Sequence, residues 1–289
     1  MNTPRIAVIG LGPMGHPVAA TLLDAGLTPV VWNRTASRAD DLVAAGAIRA
    51  ARPADAAAPV ILSVLPDVAP LRELLDAPTR QAWGAAGARL VVLSTTGPEQ
   101  VIELAEELAA DGIAVVDAPM SGGVAGAAAG TLSLMVGGTR DDVAAVLGVL
   151  EVIGGTVVHL GPLGTGMVAK LCNQIVVGGT LAALAEAFAL ARRSGLDVRQ
   201  LVALLEGGLA RSEVLAQKRD KLIDREYALG GSADNQVKDL QYATAAAESA
   251  DLSARLLPAL LGLYRESVDR GEGDKDHAVV QELYLDPEG

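Results

Sequence analysis

Arg5-Ile6-Ala7-Val8-Ile9-Gly10-Leu11-Gly12-Pro13-Met14-Gly15-His16-Pro17-Val18-Ala19-Ala20-Thr21-Leu22-Leu23-Asp24-Ala25 decides how the chain folds. A short apolar run, the length of a buried strand, breaks into Gly10, Gly12 and Gly15 and resumes with apolar residues at helical spacing. Strand, G-x-G-x-x-G, helix is the context in which that glycine spacing has a mechanism. The first glycine allows the tight turn, the second lets the backbone approach a pyrophosphate, and the third lets helix and strand pack closely. The helix N-terminus then adds positive potential. Gly10, Leu11, Gly12, Pro13, Met14 and Gly15 are therefore the expected dinucleotide loop. About twenty residues on, where an NAD site places an acid on the ribose, stand Trp32-Asn33-Arg34-Thr35 and Arg38. Without a carboxylate, Asn33, Arg34, Thr35 and Arg38 suit a 2′-phosphate, so NADP(H) is expected over NAD(H), which stays possible. Arg34 and Arg38 as plain solvated charges are the bland alternative.

Outward from this stretch, apolar runs at 29–32, 60–64, 90–93, 113–116 and 132–136 alternate with helical patterns at 36–45, 98–110 and 141–150. Strand and helix in turn imply a mostly parallel sheet covered on both faces, an α/β Rossmann domain. Past Gly164 the strand signal stops, and one long helix from about 166 to 193 leads into shorter ones near 197–206, 211–222, 233–250, 254–270 and 275–284. The expectation is a Rossmann domain over 1–163 and an all-helical domain over 164–289. Ala125 to Ala129 reads as composition bias.

With 289 residues and a net charge of −12, the chain has an ample core and no basic cluster for nucleic acid. Its apolar stretch from Ile175 to Ala185 is short for a bilayer, and the glycine-interrupted start reads as a strand rather than a leader. A single cysteine, Cys172, excludes an internal disulfide and suits a cytoplasmic setting. Three scattered histidines make no metal site. His159 is expected to end a strand, Cys172 to pack on the long helix, and His277 to be exposed. His16 could touch the cofactor or be a solvated first-turn residue.

Further segments give the chain an end-to-end resemblance to the β-hydroxyacid dehydrogenase family, which includes 3-hydroxyisobutyrate dehydrogenases and tartronate semialdehyde reductases. They are Asp117-Ala118-Pro119-Met120-Ser121-Gly122-Gly123, Gly164-Thr165-Gly166-Met167-Val168-Ala169-Lys170-Leu171-Cys172-Asn173-Gln174, Ser63-Val64-Leu65-Pro66, Ser94-Thr95 and Lys238-Asp239-Leu240. The resemblance implies a substrate-carboxylate loop at Ser121, Gly122 and Gly123, a catalytic helix with Lys170, and cofactor contacts from Leu65, Pro66, Thr95 and Lys238. Gly207-Gly208-Leu209-Ala210 resembles the tartronate semialdehyde reductase branch, whose Gln four residues past the lysine is also present as Gln174. Three departures are Gln174, where many family members have Asn and this chain has its Asn at Asn173, Val92, where the family usually has Asp, and Arg211, where a small residue is usual in that branch; Arg211 is a candidate substrate contact.

Chemistry on the residues agrees. Lys170, Asn173 and Gln174 stand at i, i+3 and i+4, so one helical face presents an ammonium and two amides. Hydride delivery to a carbonyl builds negative charge on oxygen, which a positioned ammonium stabilises and protonates. The expected activity is hydride transfer between NADP(H) and a small anionic β-hydroxy acid or semialdehyde, in a homodimer or homotetramer. The alternatives are an imine reductase of the same fold, disfavoured by Lys170, and a non-catalytic dinucleotide-binding protein.

Overall fold

The structure, a computed structural model, describes residues 6–228 and 230–285, so Arg5 lies outside the described residues. The chain divides between Lys170 and Leu171 into two compact units.

Unit 1 is built on a nine-stranded sheet ordered β3-β2-β1-β4-β5-β6-β8-β7, with β9 pairing β8. The strands are β1 (Ile6–Ile9), β2 (Val30–Trp32), β3 (Ile48–Arg49), β4 (Val60–Ser63), β5 (Arg89–Val92), β6 (Ala114–Asp117), β7 (Met120–Ser121), β8 (Leu132–Gly137) and β9 (Gly154–Gly161). Pairing is parallel from β3 to β6 and between β8 and β9, and antiparallel where β8 meets β6 and β7. The central strands β1 and β4 are buried along their full length, which is why they read as unbroken apolar runs.

The helices of this unit are α1 (Gly15–Asp24), α2 (Asp40–Ala44), α3 (Val68–Leu74), α4 (Ala77–Ala85), α5 (Pro98–Ala109), α6 (Gly123–Ala129) and α7 (Arg140–Ile153). They cover two cores. One gathers Val18, Leu22, Val146 and Leu150 over Val8, Leu62 and Val91; the other gathers Leu71, Trp83, Val101 and Leu104 over Ile9, Ile61 and Leu90. The expected helix over 36–45 is a 3-10 turn, Ala36–Ala39, running into α2. Ala125 to Ala129, read as composition bias, lie in α6.

α8 (Thr165–Arg193) starts in unit 1, and its first turn is fastened by Asp117 at the end of β6. Asp117 is fully buried; it accepts hydrogen bonds from the Gly164 N–H at 2.9 Å and the Met167 N–H at 2.7 Å. A carboxylate there meets the positive end of the helix dipole. Space is scarce around it: a Cβ on Gly166 would run into the Met135 carbonyl oxygen and come within 2.7 Å of the Asp117 carboxylate, so only glycine fits.

Unit 2 is helical: the rest of α8, then α9 (Val198–Glu206), α10 (Glu213–Asp224), α11 (Ala233–Ser249) and α12 (Leu257–Ser267), with a π-helical turn over Val268–Glu272 and a 3-10 segment over His277–Tyr284. α9, α10 and α11 each begin on a side-chain cap, from Asp197, Ser212 and Ser232. The core packs Leu181, Leu184 and Phe188 of α8 with Leu240, Leu260 and Tyr264. α8 is long and apolar enough to cross a bilayer, but half of that window is buried by the fold. The helix expected over 254–270 starts at Leu257 and changes to a π turn, and the segment over 275–284 is 3-10 rather than α.

Burial pushes the Asp117 carboxyl above its ordinary value of 3.8, against the hydrogen bonds from Gly164 and Met167 that lower it. A raised folded-state pKa favours the protonated fold, so this contribution is present at low pH and is lost as pH rises through the raised value. Comparing Tm against pH for the wild type and Asp117→Asn, the wild type gains on the variant as pH falls toward 3.8. A constant offset between the two curves contradicts the assignment.

Candidate active site

The dinucleotide loop lies at the C-terminal ends of β1 and β4, where the strand order reverses direction, which is the place open α/β sheets bind ligands. Gly10 has φ +95, and a Cβ on it would sit 2.7 Å from the Val64 carbonyl oxygen. A Cβ on Gly15 would collide with the Gly10 carbonyl. Gly12 differs: nothing lies within 4 Å of where its Cβ would be, so open space stands over its backbone. α1 starts at Gly15 with no side-chain cap and no acid in its first turn. The His16 N–H is taken by the Gly12 carbonyl at 3.1 Å and Pro17 carries none, so what the helix start offers an external anion is its positive potential.

Asn33 serves the loop rather than its rim. Its Oδ1 accepts from the Leu11 N–H at 2.9 Å, and its Nδ2 donates to the Thr35 carbonyl at 2.9 Å. Both ends of the amide brace the backbone, and the second Nδ2 hydrogen is what Asn33 has left for a phosphate. Arg34, Thr35 and Arg38 are exposed beside it. Neither arginine is ion-paired among the described residues, because the neighbouring acids are engaged: Asp41 with His16 at 2.8 Å and Asp40 with Arg49 at 2.6 Å. His16 is thus engaged by Asp41, through its Nε2.

Three hydroxyls at the same sheet edge, Ser63 Oγ, Ser94 Oγ and Thr96 Oγ1, are buried without a hydrogen-bond partner. Buried polar atoms are rarely orphaned unless a ligand or water completes them. They flank Leu65 and Thr95, both half-buried, and Pro66, which is exposed. The sequence points to Leu65, Pro66 and Thr95 in these segments as contacts and not to Ser63, Ser94 or Thr96. Their signal was position: polar residues closing two apolar strands. Val92 is buried at the end of β5. Together the open backbone over Gly12, the uncapped helix and the orphaned hydroxyls fit a dinucleotide.

Ser121 ends β7, and Gly122 and Gly123 follow with φ of +129 and +64, both exposed, as the chain turns into α6. Lys170 closes unit 1 and is only 8% exposed. Lysine is seldom buried so far without a paired or functional role. Asn173 and Gln174 open unit 2 on the same helix, and the Asn173 Oδ1 is buried with no partner. Gln174 Nε2 donates to Asp239 Oδ2 at 2.7 Å and lies 3.4 Å from Gln236 Oε1. Lys238 Nζ is 3.2 Å from Asp239 Oδ1, so part of its charge is offset there.

Arg211 stands apart. It is exposed in the loop after α9, in a depression shared with Glu206, Ser212, Glu213 and Ala216, and makes no ion pair among the described residues. Two further expectations are corrected. His277 is buried, its Nδ1 3.1 Å from Gln236 Oε1, and Cys172 is exposed on α8 rather than packed. His159 lies inside β9, with Nε2 within 3.0 Å of the Gly138 and Gly161 carbonyls. No group of three or more metal-ligating side chains occurs among the described residues.

This fold and loop define an NAD(P)-dependent oxidoreductase, and comparison with known proteins narrows the class. The family model for the NAD binding domain of 6-phosphogluconate dehydrogenase matches residues 5–161, and that for the NAD-binding domain of NADP-dependent 3-hydroxyisobutyrate dehydrogenase matches residues 164–284. A curated relative, the NAD-dependent L-serine dehydrogenase of Pseudomonas aeruginosa, is 36% identical over 99% of both chains. The crystal structure of a 3-hydroxyisobutyrate dehydrogenase from Salmonella typhimurium superposes with a TM-score of 0.89 at 25% identity, covering 97% of this chain and 100% of that one. The Mycobacterium tuberculosis 3-hydroxyisobutyrate dehydrogenase, solved with L-serine, gives 0.85 at 28% identity, covering 98% and 100%. The chain belongs to the β-hydroxyacid dehydrogenase family, as an NAD(P)-dependent dehydrogenase.

Gly12→Ala tests the loop, because its new methyl meets only open space within the protein. Unfolding free energy is expected to stay within about 0.5 kcal/mol of wild type. Dinucleotide affinity, titrated by fluorescence, is expected to fall at least about tenfold as the methyl enters the pyrophosphate's place. Unchanged affinity would show that the dinucleotide does not bind over Gly12.

Proposed function

We propose that this enzyme transfers a hydride between NADP(H) and the C3 carbon of a short 3-hydroxy acid or its semialdehyde, with Lys170 as the general acid and base. One observation carries the reading: a buried lysine on α8 shares its helical face with Asn173, whose buried oxygen lacks a partner, and with Gln174. A pure dinucleotide binder has no need for an ammonium in that position. When bound, the nicotinamide supplies or accepts the hydride.

In the reducing direction the Lys170 ammonium hydrogen-bonds the aldehyde oxygen and gives it a proton as negative charge develops; in the oxidising direction the neutral amine takes the hydroxyl proton. Ser121 donates its hydroxyl to the substrate carboxylate, and the N–H groups of the exposed Gly122 and Gly123 add to that cradle. The anion is thereby anchored while Lys170 aligns the reacting carbon, and the chemistry becomes effectively unimolecular. The names of the serine and 3-hydroxyisobutyrate dehydrogenase relatives, both 3-hydroxy acid enzymes, support the substrate class. Imine reduction is disfavoured because its hydride acceptor is a cationic iminium, which a buried lysine ammonium would repel.

Lys170→Ala is expected to lower kcat by roughly 10²–10⁴ while dinucleotide affinity changes little. Steady-state kinetics on short semialdehydes, with a parallel dinucleotide titration, check this, and retention of most of the rate removes Lys170 from the chemistry.

The NADP(H) preference rests on Arg34 and Arg38, exposed and without carboxylate partners, and on the absence of an acid at the end of β2. With Arg34→Ala and Arg38→Ala combined, kcat/KM for NADPH is expected to drop by roughly 10–100-fold and that for NADH to stay within about threefold, since only the 2′-phosphate loses charge-assisted hydrogen bonds. Equal loss for both cofactors, or a wild type that favours NADH, overturns the preference.

A further inference from the structure

Gln174 does not hold its side-chain amide freely. Asp239 can only accept hydrogen bonds as a carboxylate, so the end of Gln174 that lies 2.7 Å from Asp239 Oδ2 must be the NH2 group. The amide of Gln236 is oriented in turn by the main chain: its Nε2 donates to the Gln174 carbonyl oxygen at 3.3 Å. That leaves Gln236 Oε1 facing both Gln174 Nε2, at 3.4 Å, and His277 Nδ1, at 3.1 Å. An oxygen that only accepts forces the Nδ1–H form of His277. Gln236 is itself buried, and the helix leaves room for it at Gly178, where a Cβ would stand 2.8 Å from Gln236 Nε2.

A chain of fixed polarity therefore runs from His277 through Gln236 and Gln174 to Asp239, all within unit 2. Its result is that Gln174 has both amide hydrogens directed inward and presents its Oε1, to which no described residue donates. One position earlier, the buried Asn173 Oδ1 is also without a donor. An unlocked glutamine could rotate to offer either an oxygen or an NH2. This one offers an acceptor.

We propose that Gln174 is a specificity-determining residue that selects 3-hydroxy acids carrying a hydrogen-bond donor, an ammonium or a hydroxyl, on C2 over those carrying a methyl or hydrogen. The inference rests on the reading of Lys170 as the group at the reacting C3 oxygen. From there α8 rises about 6 Å to Gln174 along the same face, within reach of the neighbouring carbon's substituent. A donor placed against a fixed acceptor gains a hydrogen bond, whereas a methyl leaves that oxygen desolvated and unpaired.

The test is kcat/KM for L-serine, glycerate, 3-hydroxyisobutyrate and 3-hydroxypropionate, measured at saturating dinucleotide on wild type, Gln174→Met and Asp239→Asn, with Tm recorded for each. Wild type is expected to favour the better of serine and glycerate over the other two by about tenfold or more. Gln174→Met removes the acceptor and should bring that ratio to within about threefold. Asp239→Asn offers an NH2 where the carboxylate was, lets Gln174 turn over, and should likewise erode the ratio even where overall activity falls. A ratio unmoved in both variants overturns the proposal, as does a wild type that favours the methyl or hydrogen acid. A uniform loss across all four acids together with weaker dinucleotide binding assigns the acceptor to the dinucleotide and also overturns it. If wild type turns over none of the four and no corresponding semialdehyde, the reading of Lys170 fails and this inference with it; turnover without donor preference sinks the inference alone.

Discussion

A buried carboxylate at the end of β6 does much of the positioning that the chemistry needs. Asp117 has no lysine or arginine beside it; what it meets is the first turn of α8, through the N–H groups of Gly164 and Met167. Desolvating a carboxylate is costly, and the helix dipole with two backbone hydrogen bonds only partly offsets it, which is why its carboxyl is held above the ordinary range. The return is geometric. With its first turn fastened to the sheet and Gly166 pressed against the Met135 carbonyl, α8 has little freedom to rotate or slide at its start. Lys170, one turn beyond Gly166, inherits that placement.

The cofactor edge is governed by a complementary constraint, close approach of backbone to backbone. Gly10 and Gly15 are required by what the protein puts against them, whereas Gly12 is required by what the protein leaves out. The same edge carries Ser63, Ser94 and Thr96 with orphaned hydroxyls. Sequence alone treats the three glycines as one motif. The structure separates them into two that make the turn and one whose backbone is left open.

What was legible in the sequence follows from the range of the interactions involved. The buried parallel strands and the long helix announce themselves by periodicity, and their observed limits differ from the expected ones by a residue or two. β3, at two residues, and β7, also two, are too short for any periodic signal. β9 hides because its residues are mostly exposed and Gly-Gly opens it. α4 was missed because its apolar content is low and it is fixed by Trp83, whose indole N–H donates to the Pro53 carbonyl thirty residues away. In the site, residue types on one helix face were readable: Lys170, Asn173 and Gln174. The orientation of their amides was not, because it is set by Gln236, Asp239 and His277 some sixty to a hundred residues later in the chain. Gln236 and Asp239 do stand three apart on α11, a spacing that places both on one face, but nothing local tells that this face meets Gln174. His277, expected at the surface, is buried for the same reason: it is a link in a chain of hydrogen bonds, and burial without such links would cost more than exposure.

Charge shows the same division between global and local. A protein with twelve excess negative charges should repel a phosphorylated cofactor and an anionic substrate, but screening at physiological salt damps that repulsion beyond about 8 Å. Inside that distance, arrangement matters more than the sum. Near the end of β2 the acids Asp40 and Asp41 are each held by a partner of their own, the Arg49 guanidinium and the His16 imidazole, so Arg34 and Arg38 have no carboxylate partner among the described residues. Pairing off the acids is as necessary to the anion site proposed there as supplying the arginines, because a carboxylate free to swing across would pair with the guanidinium in place of the ligand. Lys238 shows the opposite arrangement: Asp239 stays beside it, and what reaches outward from that cluster is the neutral oxygen of Gln174. On the readings proposed above, the acidic chain would carry two kinds of recognition surface, one made by leaving cations unpaired and one made by pairing a cation so that a dipole, rather than a charge, meets the ligand.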